Sequence, residues 1–304
     1  MHSEAGLGAR GAAGRRPGAL ARDYFTLTKP SIILLLLITT VPAMVLAEGG
    51  WPSTWLVIAT LIGGVLAAGG AGAVNMYIDR DIDAIMQRTR SRPIPRGSIT
   101  AHQALVFGIA QAVASGVWLA ATVNLVSAAL AVAAFLFYTL VYSAYLKRTT
   151  VHNTVLGGAA GAIPPLIGWT AVTGSISLEG ALLFLIVFYW QPPHFWALAL
   201  GLADDYRAAN VPMMPVVLGE HETKRQIVLY SVMTAAVSLI FGVVAELGAL
   251  YLAVALAGGA GFVWFAVRVY RTPGVGGTRA MFRYSTSYLA LLFAAMVADR
   301  LLIG

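Results

Sequence analysis

The sequence predicts an all-α, polytopic membrane protein with about nine transmembrane helices, and three observations point to it. Hydrophobic residues fill 59% of the 304 positions while charged residues fill only 11%, far below the roughly one quarter expected of a soluble domain. The apolar residues fall in runs of about 20, the length that crosses a bilayer as a helix. Basic residues fall almost entirely in alternate connections between those runs.

In chain order, span one, residues 31–48, begins just after Lys29 and closes at Glu48. Span two, 54–78, carries no charge and stops at Asp79. Span three, 102–122, follows an Arg-rich connection, and span four, 125–146, closes at Lys147 and Arg148. Spans five, 152–173, and six, 179–201, contain "GGAAGAIPPLIGW" and "YWQPPHFWALAL". Carbonyls freed by such Gly and Pro residues need a neighbouring helix or a cavity in lipid, so these two spans are expected to wall a pocket. Spans seven, 226–246, eight, 249–269, and nine, 285–303, complete the set. No connection is long enough to hold a soluble domain, so residues 23–304 form a single membrane domain.

The formal charge of +7 and pI near 9.8 describe topology rather than a nucleic-acid surface. Nineteen of the 20 Lys and Arg lie before span one or at the end of, and after, the even-numbered spans two, four, six and eight. The connections after spans one, three, five and seven hold only Glu48, Glu179 and Glu246 as charged residues. The positive-inside rule then makes the N-terminus cytoplasmic. Residues 1–22, rich in Ala, Gly and Arg, are expected to be a disordered cytoplasmic tail, with a mitochondrial transit peptide as the alternative. A plasma membrane is therefore expected ahead of the mitochondrial inner membrane. The chain has no cysteine, which excludes disulfides and thiolate metal sites.

Ionisable side chains are nearly absent from mid-span, which argues against a proton or ion relay. They gather at the cytoplasmic ends of spans two, four and six. Asn75, Asp79 and Asp83 stand four apart, on one helix face, while Asp81 points elsewhere. Two carboxylates and an amide oxygen suit Mg²⁺, which takes one or two carboxylates and completes its shell with water and phosphate. At an exposed helix end, the arginines that follow would meet the remaining phosphate charge. A solvated helix end explains those arginines equally well and leaves the aspartates unexplained. Asp204, Asp205 and Arg207 follow span six on the same side, either as an interfacial loop or as a partner to the first group across a pocket. Lys147 and Arg148 also suit the C-terminal dipole of span four. His194 lies in an apolar helix, where packing competes with ligand binding.

Together these stretches resemble the membrane-embedded UbiA-type prenyltransferases. Asn75, Asp79 and Asp83 match the first aspartate-rich motif, and "QRTRSRPIPRG" the Arg-Pro segment that follows it. "YFTLTKP", "YSAYLKRTTVHNTVLGGAAGAIPPLIGW", "WQPPHFWALAL" and "DDYRAANVPMMPVVLG" narrow the match to the heme-farnesylating branch. The resemblance implies helices around a central cavity open to the cytoplasmic side, with farnesyl passing from farnesyl diphosphate to a vinyl group of heme b and water supplying a hydroxyl, giving heme O.

It further implies Mg²⁺ on Asn75, Asp79, Asp83 and Asp205, with Asn75, Asp79, Asp83 and Lys147 as the catalytic set. Arg88, Arg92, Lys147, Arg148 and Arg207 would bind diphosphate. His194, Trp196 and Tyr142 would contact heme, and a heme A synthase would receive the product. Two positions depart from the pattern. Asn210 replaces a frequent Gly, and the second acidic region lacks a four-apart aspartate pair, which puts a second Mg²⁺ site in doubt. The competing readings are a quinone-pathway aromatic prenyltransferase, a membrane transporter and a heme-binding carrier. The first should lack the Pro-Pro-His-Phe-Trp stretch, the second would carry charge at mid-membrane, and the third would present paired axial ligands.

Overall fold

The computed structural model describes residues 17–302, so residues 1–16 of the expected tail lie outside the described residues. Residues 17–22, expected in that tail, instead open helix α1, Pro17–Leu27. Among the described residues the chain is helical, without strands. Helices α2, Pro30–Glu48, and α3, Thr54–Ile78, are followed by the short α4, Arg80–Ile85. Then come α5, Ala101–Thr122, and α6, Leu125–Thr149. Helices α7, Asn153–Thr173, and α8, Leu178–Leu200, precede two short turns, α9, Ala203–Ala208, and α10, Met214–Val217. The last three are α11, Gly219–Val244, α12, Ala249–Arg271, and α13, Thr278–Leu302.

Eight of these helices are long and apolar enough to cross a membrane, and α2 is a ninth long apolar helix whose Leu36–Glu48 portion is the apolar part described. The chain is a multi-pass membrane protein. Helices α11 and α13 begin seven residues before the expected spans. Their first turns carry Glu220 and Lys224, or Arg279 and Arg283, charges that suit an interface and hide a helix start from a hydropathy reading.

Packing order explains the small residues. In lipid, helices associate through close backbone approach, which favours Gly and Ala. Helix α3 crosses α5 where Gly70 meets Gly108: a Cβ on Gly70 would lie 2.6 Å from the Gly108 carbonyl oxygen. Gly168 of α7 likewise faces the Thr40 carbonyl of α2 with no room for a Cβ. Gly70→Ala is therefore expected to cost about 1–3 kcal/mol through overpacking, read as a lower melting temperature of the purified protein in detergent; an unchanged melt would show that α3 and α5 adjust freely.

Helix α6 changes winding. From Phe137 to Leu146 it follows i to i+5 hydrogen bonding, a π-helix, a form that concentrates at functional sites. Nine residues make about two and a half turns of α-helix but about two turns of a π-helix. The wider winding thus brings Tyr138 and Lys147, nine apart, to one face, together with Ser143.

Candidate active site

The α3–α4 junction meets the π-wound end of α6, and the polar side chains there are buried. Asp79 is 0% exposed and Asp83 1%, which corrects the expectation that they stand at an exposed helix end. Asn75 is the hub. Its Nδ2 donates to Asp79 Oδ2 at 2.8 Å and to Ser143 Oγ at 2.8 Å, while its Oδ1 accepts from Lys29 Nζ at 2.5 Å. Lys147 Nζ donates to Asp79 Oδ2 at 2.5 Å. Arg92 Nη1 donates to both oxygens of Asp83, at 2.8 and 2.7 Å. Asp79 Oδ1 is buried and finds no hydrogen-bond partner among the described residues. A buried orphan oxygen costs about 1–3 kcal/mol, a penalty that a cation or a donor on a ligand would remove.

Lys29 is the member that sequence reasoning missed. It sits at φ 54° and ψ 62°, left-handed backbone, although it has a Cβ and precedes a proline, both unfavourable there. Burial pushes its ammonium down to about 7, with Arg92 adding to the shift and Asp79 opposing it. Strain of this kind persists only where the surroundings fix it; here it aims the amine at Asn75, with the Tyr138 hydroxyl 3.4 Å away. The signal was the "TLTKP" stretch, in which Lys29 reads equally well as one of the topology-setting charges.

Other expected residues are placed differently. Arg148 clamps the exposed Asp81 with two hydrogen bonds of 2.7 and 2.8 Å and bonds the Ile78 carbonyl at the end of α3. That pairing holds the Asp81 carboxyl well below its ordinary range. Asp205 does not join the Asp79 group: its two oxygens accept from the backbone N–H groups of Gln87 and Arg88 at 2.9 and 3.2 Å. The loops after α4 and α8 therefore touch directly rather than facing one another across a pocket. Arg207 pairs with the exposed Asp204 on the surface. The Arg88 guanidinium stands beside the Tyr206 hydroxyl.

Beneath this polar cluster lies a largely apolar cavity of about 360 Å³, within the range of about 300–1,000 Å³ typical of small-molecule sites. Lys29, Tyr138 and Tyr142 line its charged end, and Trp190, Gln191 and His194 line it along α8. Gly157 leaves the space that the Tyr142 ring occupies, so the glycine run of α7 shapes the wall. Trp196 is the clear displacement from expectation. It is 0% exposed and packs edge-on against Tyr230 of α11 at 5.5 Å; Phe195 reaches the cavity instead.

The residues present suit one divalent cation better than two. Among the described residues no group of three or more His, Cys, Asp or Glu is placed to hold a metal. Asp79, with its orphan oxygen, and Asp83 remain, a number of carboxylates sufficient for Mg²⁺ when phosphate supplies further oxygens.

The chain belongs to the UbiA prenyltransferase family, whose model matches residues 36–295. Within it, the chain is similar to proteins named protoheme IX farnesyltransferase. It is 50% identical over 285 residues to the one from Clavibacter sepedonicus, covering 92% of this chain and 93% of that protein. It is also 50% identical over 282 residues to that of Chloroflexus aurantiacus, covering 93% of this chain but 48% of the relative. The chain thus spans about half the length of that relative. A digeranylgeranylglyceryl phosphate synthase shares the fold at a TM-score of 0.77 and 15% identity, covering 93% of this chain and 99% of that one. A UbiA homolog from Archaeoglobus fulgidus, bound to GPP and Mg²⁺, does so at 0.68 and 16%, covering 90% and 99%.

Proposed function

We propose that this chain is a protoheme IX farnesyltransferase, which moves farnesyl from farnesyl diphosphate to a vinyl group of heme b, with addition of water, to give heme O. One observation supports this most: the buried cationic and acidic cluster around Asp79 meets an apolar cavity at Lys29, joining a diphosphate site to an isoprenoid site. The identity shared with the Clavibacter protein over nearly its whole length supports the choice of heme as acceptor.

The allylic C–O bond breaks with its electron pair leaving on diphosphate. Lys29 lines the head of the cavity and Lys147 stands on Asp79 in the cluster beside it; both would meet that growing charge, and Arg92 would do so by turning from Asp83. Preorganised donors of this kind are worth most where water is excluded. Farnesyl C1 then bonds the terminal vinyl carbon, the cation moves to the carbon beside the porphyrin, and water adds there and releases a proton. The apolar wall limits early quenching of the allylic cation by water. Asp79 and Asp83 would hold Mg²⁺, supplying charge neutralisation at the leaving group; the Archaeoglobus homolog was solved with such an ion and GPP.

The orientation proposed places the N-terminus and the Asp79 cluster on the cytoplasmic face of a plasma membrane, in one membrane domain from residue 23 to 304. A heme A synthase is the proposed recipient of heme O. Purified protein in lipid nanodiscs, given farnesyl diphosphate, heme b and Mg²⁺, is expected to form a product with the mass of heme O. Chelation by EDTA should stop turnover and added Mg²⁺ restore it. Prenylation of an aromatic acid in place of heme would overturn the assignment, and undiminished turnover in EDTA would remove the metal.

A further inference from the structure

His194 is clamped on both faces. Trp190 stacks on one side of the imidazole with centroids 4.4 Å apart and Phe282 on the other at 4.3 Å, the planes within 19° and 24° of parallel. Its Nδ1 lies 2.6 Å from Ser285 Oγ. Ser285 Oγ in turn donates to the Phe282 carbonyl at 2.7 Å. A serine hydroxyl has one proton to give, so once that proton is on the carbonyl, Oγ is an acceptor and His194 Nδ1 carries the hydrogen. The reverse tautomer would point an N–H from Nε2 at a largely apolar cavity, where the described residues provide it with no hydrogen-bond partner. The neutral ring therefore presents the Nε2 lone pair. A ring held in one plane, with one nitrogen donating to an oxygen and the other bare, is how proteins prepare a histidine for a metal.

We infer that Ser285 is a positioning residue that fixes His194 as an axial nitrogen donor to the iron of the heme substrate, with Trp190 and Phe282 holding the ring plane. The inference rests on heme being the acceptor and goes beyond it by assigning an iron bond and its supporting hydroxyl. No proton is lost on coordination, because Nε2 is already unprotonated and neutral imidazole is an ordinary iron ligand. Ligation at the iron leaves the vinyl groups at the porphyrin edge free to react. It would fix the height of the macrocycle in the cavity relative to Lys29 and Tyr138 at its charged end.

The test is resonance Raman spectroscopy of the heme-loaded, ferrous, full-length protein, together with heme titration and farnesyl transfer assayed separately. Wild type is expected to show an iron–histidine stretching band, absent in His194→Gly and restored by added imidazole. In Ser285→Ala the band should move to lower frequency and heme affinity fall about threefold or more, because the Nδ1–H loses its 2.6 Å hydroxyl partner and keeps only the backbone of Phe282; Ser285→Thr, which keeps the hydroxyl, should recover both. The Ser285 carbonyl still accepts from Trp190 Nε1 in each variant, so packing on that side is retained. An unmoved band in Ser285→Ala overturns the positioning role. Wild type that makes farnesylated heme without any iron–histidine band overturns this inference alone, whereas wild type that binds no heme overturns the functional reading as well.

Discussion

Asp79→Asn is expected to reduce farnesyl transfer about a thousandfold or more while leaving a folded protein. The carboxylate has two tasks in the structure. Oδ2 gathers Asn75 and Lys147, and Oδ1 is buried without a hydrogen bond, with Arg148 Nη2 3.8 Å away. Asparagine keeps the shape and one acceptor but removes the charge available to a cation. The loss combines a charge-assisted contact, about 1.5–3 kcal/mol, with metal stabilisation of the leaving group, worth several kcal/mol. Asp79→Ala is the poorer probe, because it leaves a mostly buried lysine without its partner, at about 3–5 kcal/mol. Asp81→Asn should stay within about tenfold of wild type, since Asp81 is exposed and serves Arg148. Initial rates of heme O formation, with melting curves for each variant, make the comparison. Equal losses at Asp79, Asp81 and Asp83 would count against a metal site on one face.

The contrast between Asp79 and Asp81 shows what was legible in the sequence. Helix periodicity separates two aspartates that stand only two positions apart, and the structure agrees: one is fully buried and the other pairs at the surface. Apolar run length likewise located the long helices, because the bilayer imposes that length. Burial was not legible. A polar run at a helix end reads as solvated until the π-wound stretch of α6 is seen to cover it, and hydropathy carries no record of winding. Trp196 was misplaced for a related reason. Adjacent helical residues point about 100° apart, so His194 and Phe195 can face the cavity while Trp196 faces α11. Ser285 was invisible because a single serine in an apolar span is ordinarily satisfied by its own helix, and only its place beside His194 marks it out.

Lys147→Met is expected to weaken farnesyl diphosphate binding or turnover by about ten- to a hundredfold, from the loss of one charge-assisted contact, and to destabilise the protein as well. Its amine is 2.5 Å from Asp79 Oδ2, with the two side chains 14% and 0% exposed. Removing it leaves a buried carboxylate with Arg148, 3.8 Å away, as its remaining ion-pair partner, a loss of up to about 3–5 kcal/mol. The two effects separate in a double-mutant cycle. Combining Lys147→Met with Asp79→Asn removes both charges, so stability should return toward wild type, the non-additivity expected of residues in contact. Turnover should not return, because neither the leaving group nor the cation regains its partner. Arg207→Ala supplies the control, since among the described residues Arg207 pairs only with exposed Asp204, and it should leave both quantities within about twofold of wild type. Single-turnover rates and farnesyl diphosphate titrations, run beside thermal melts, give every corner of the cycle. If Lys147→Met lowers stability and leaves substrate affinity and rate unchanged, Lys147 only neutralises Asp79, and the diphosphate must find its donors in Lys29 and Arg92.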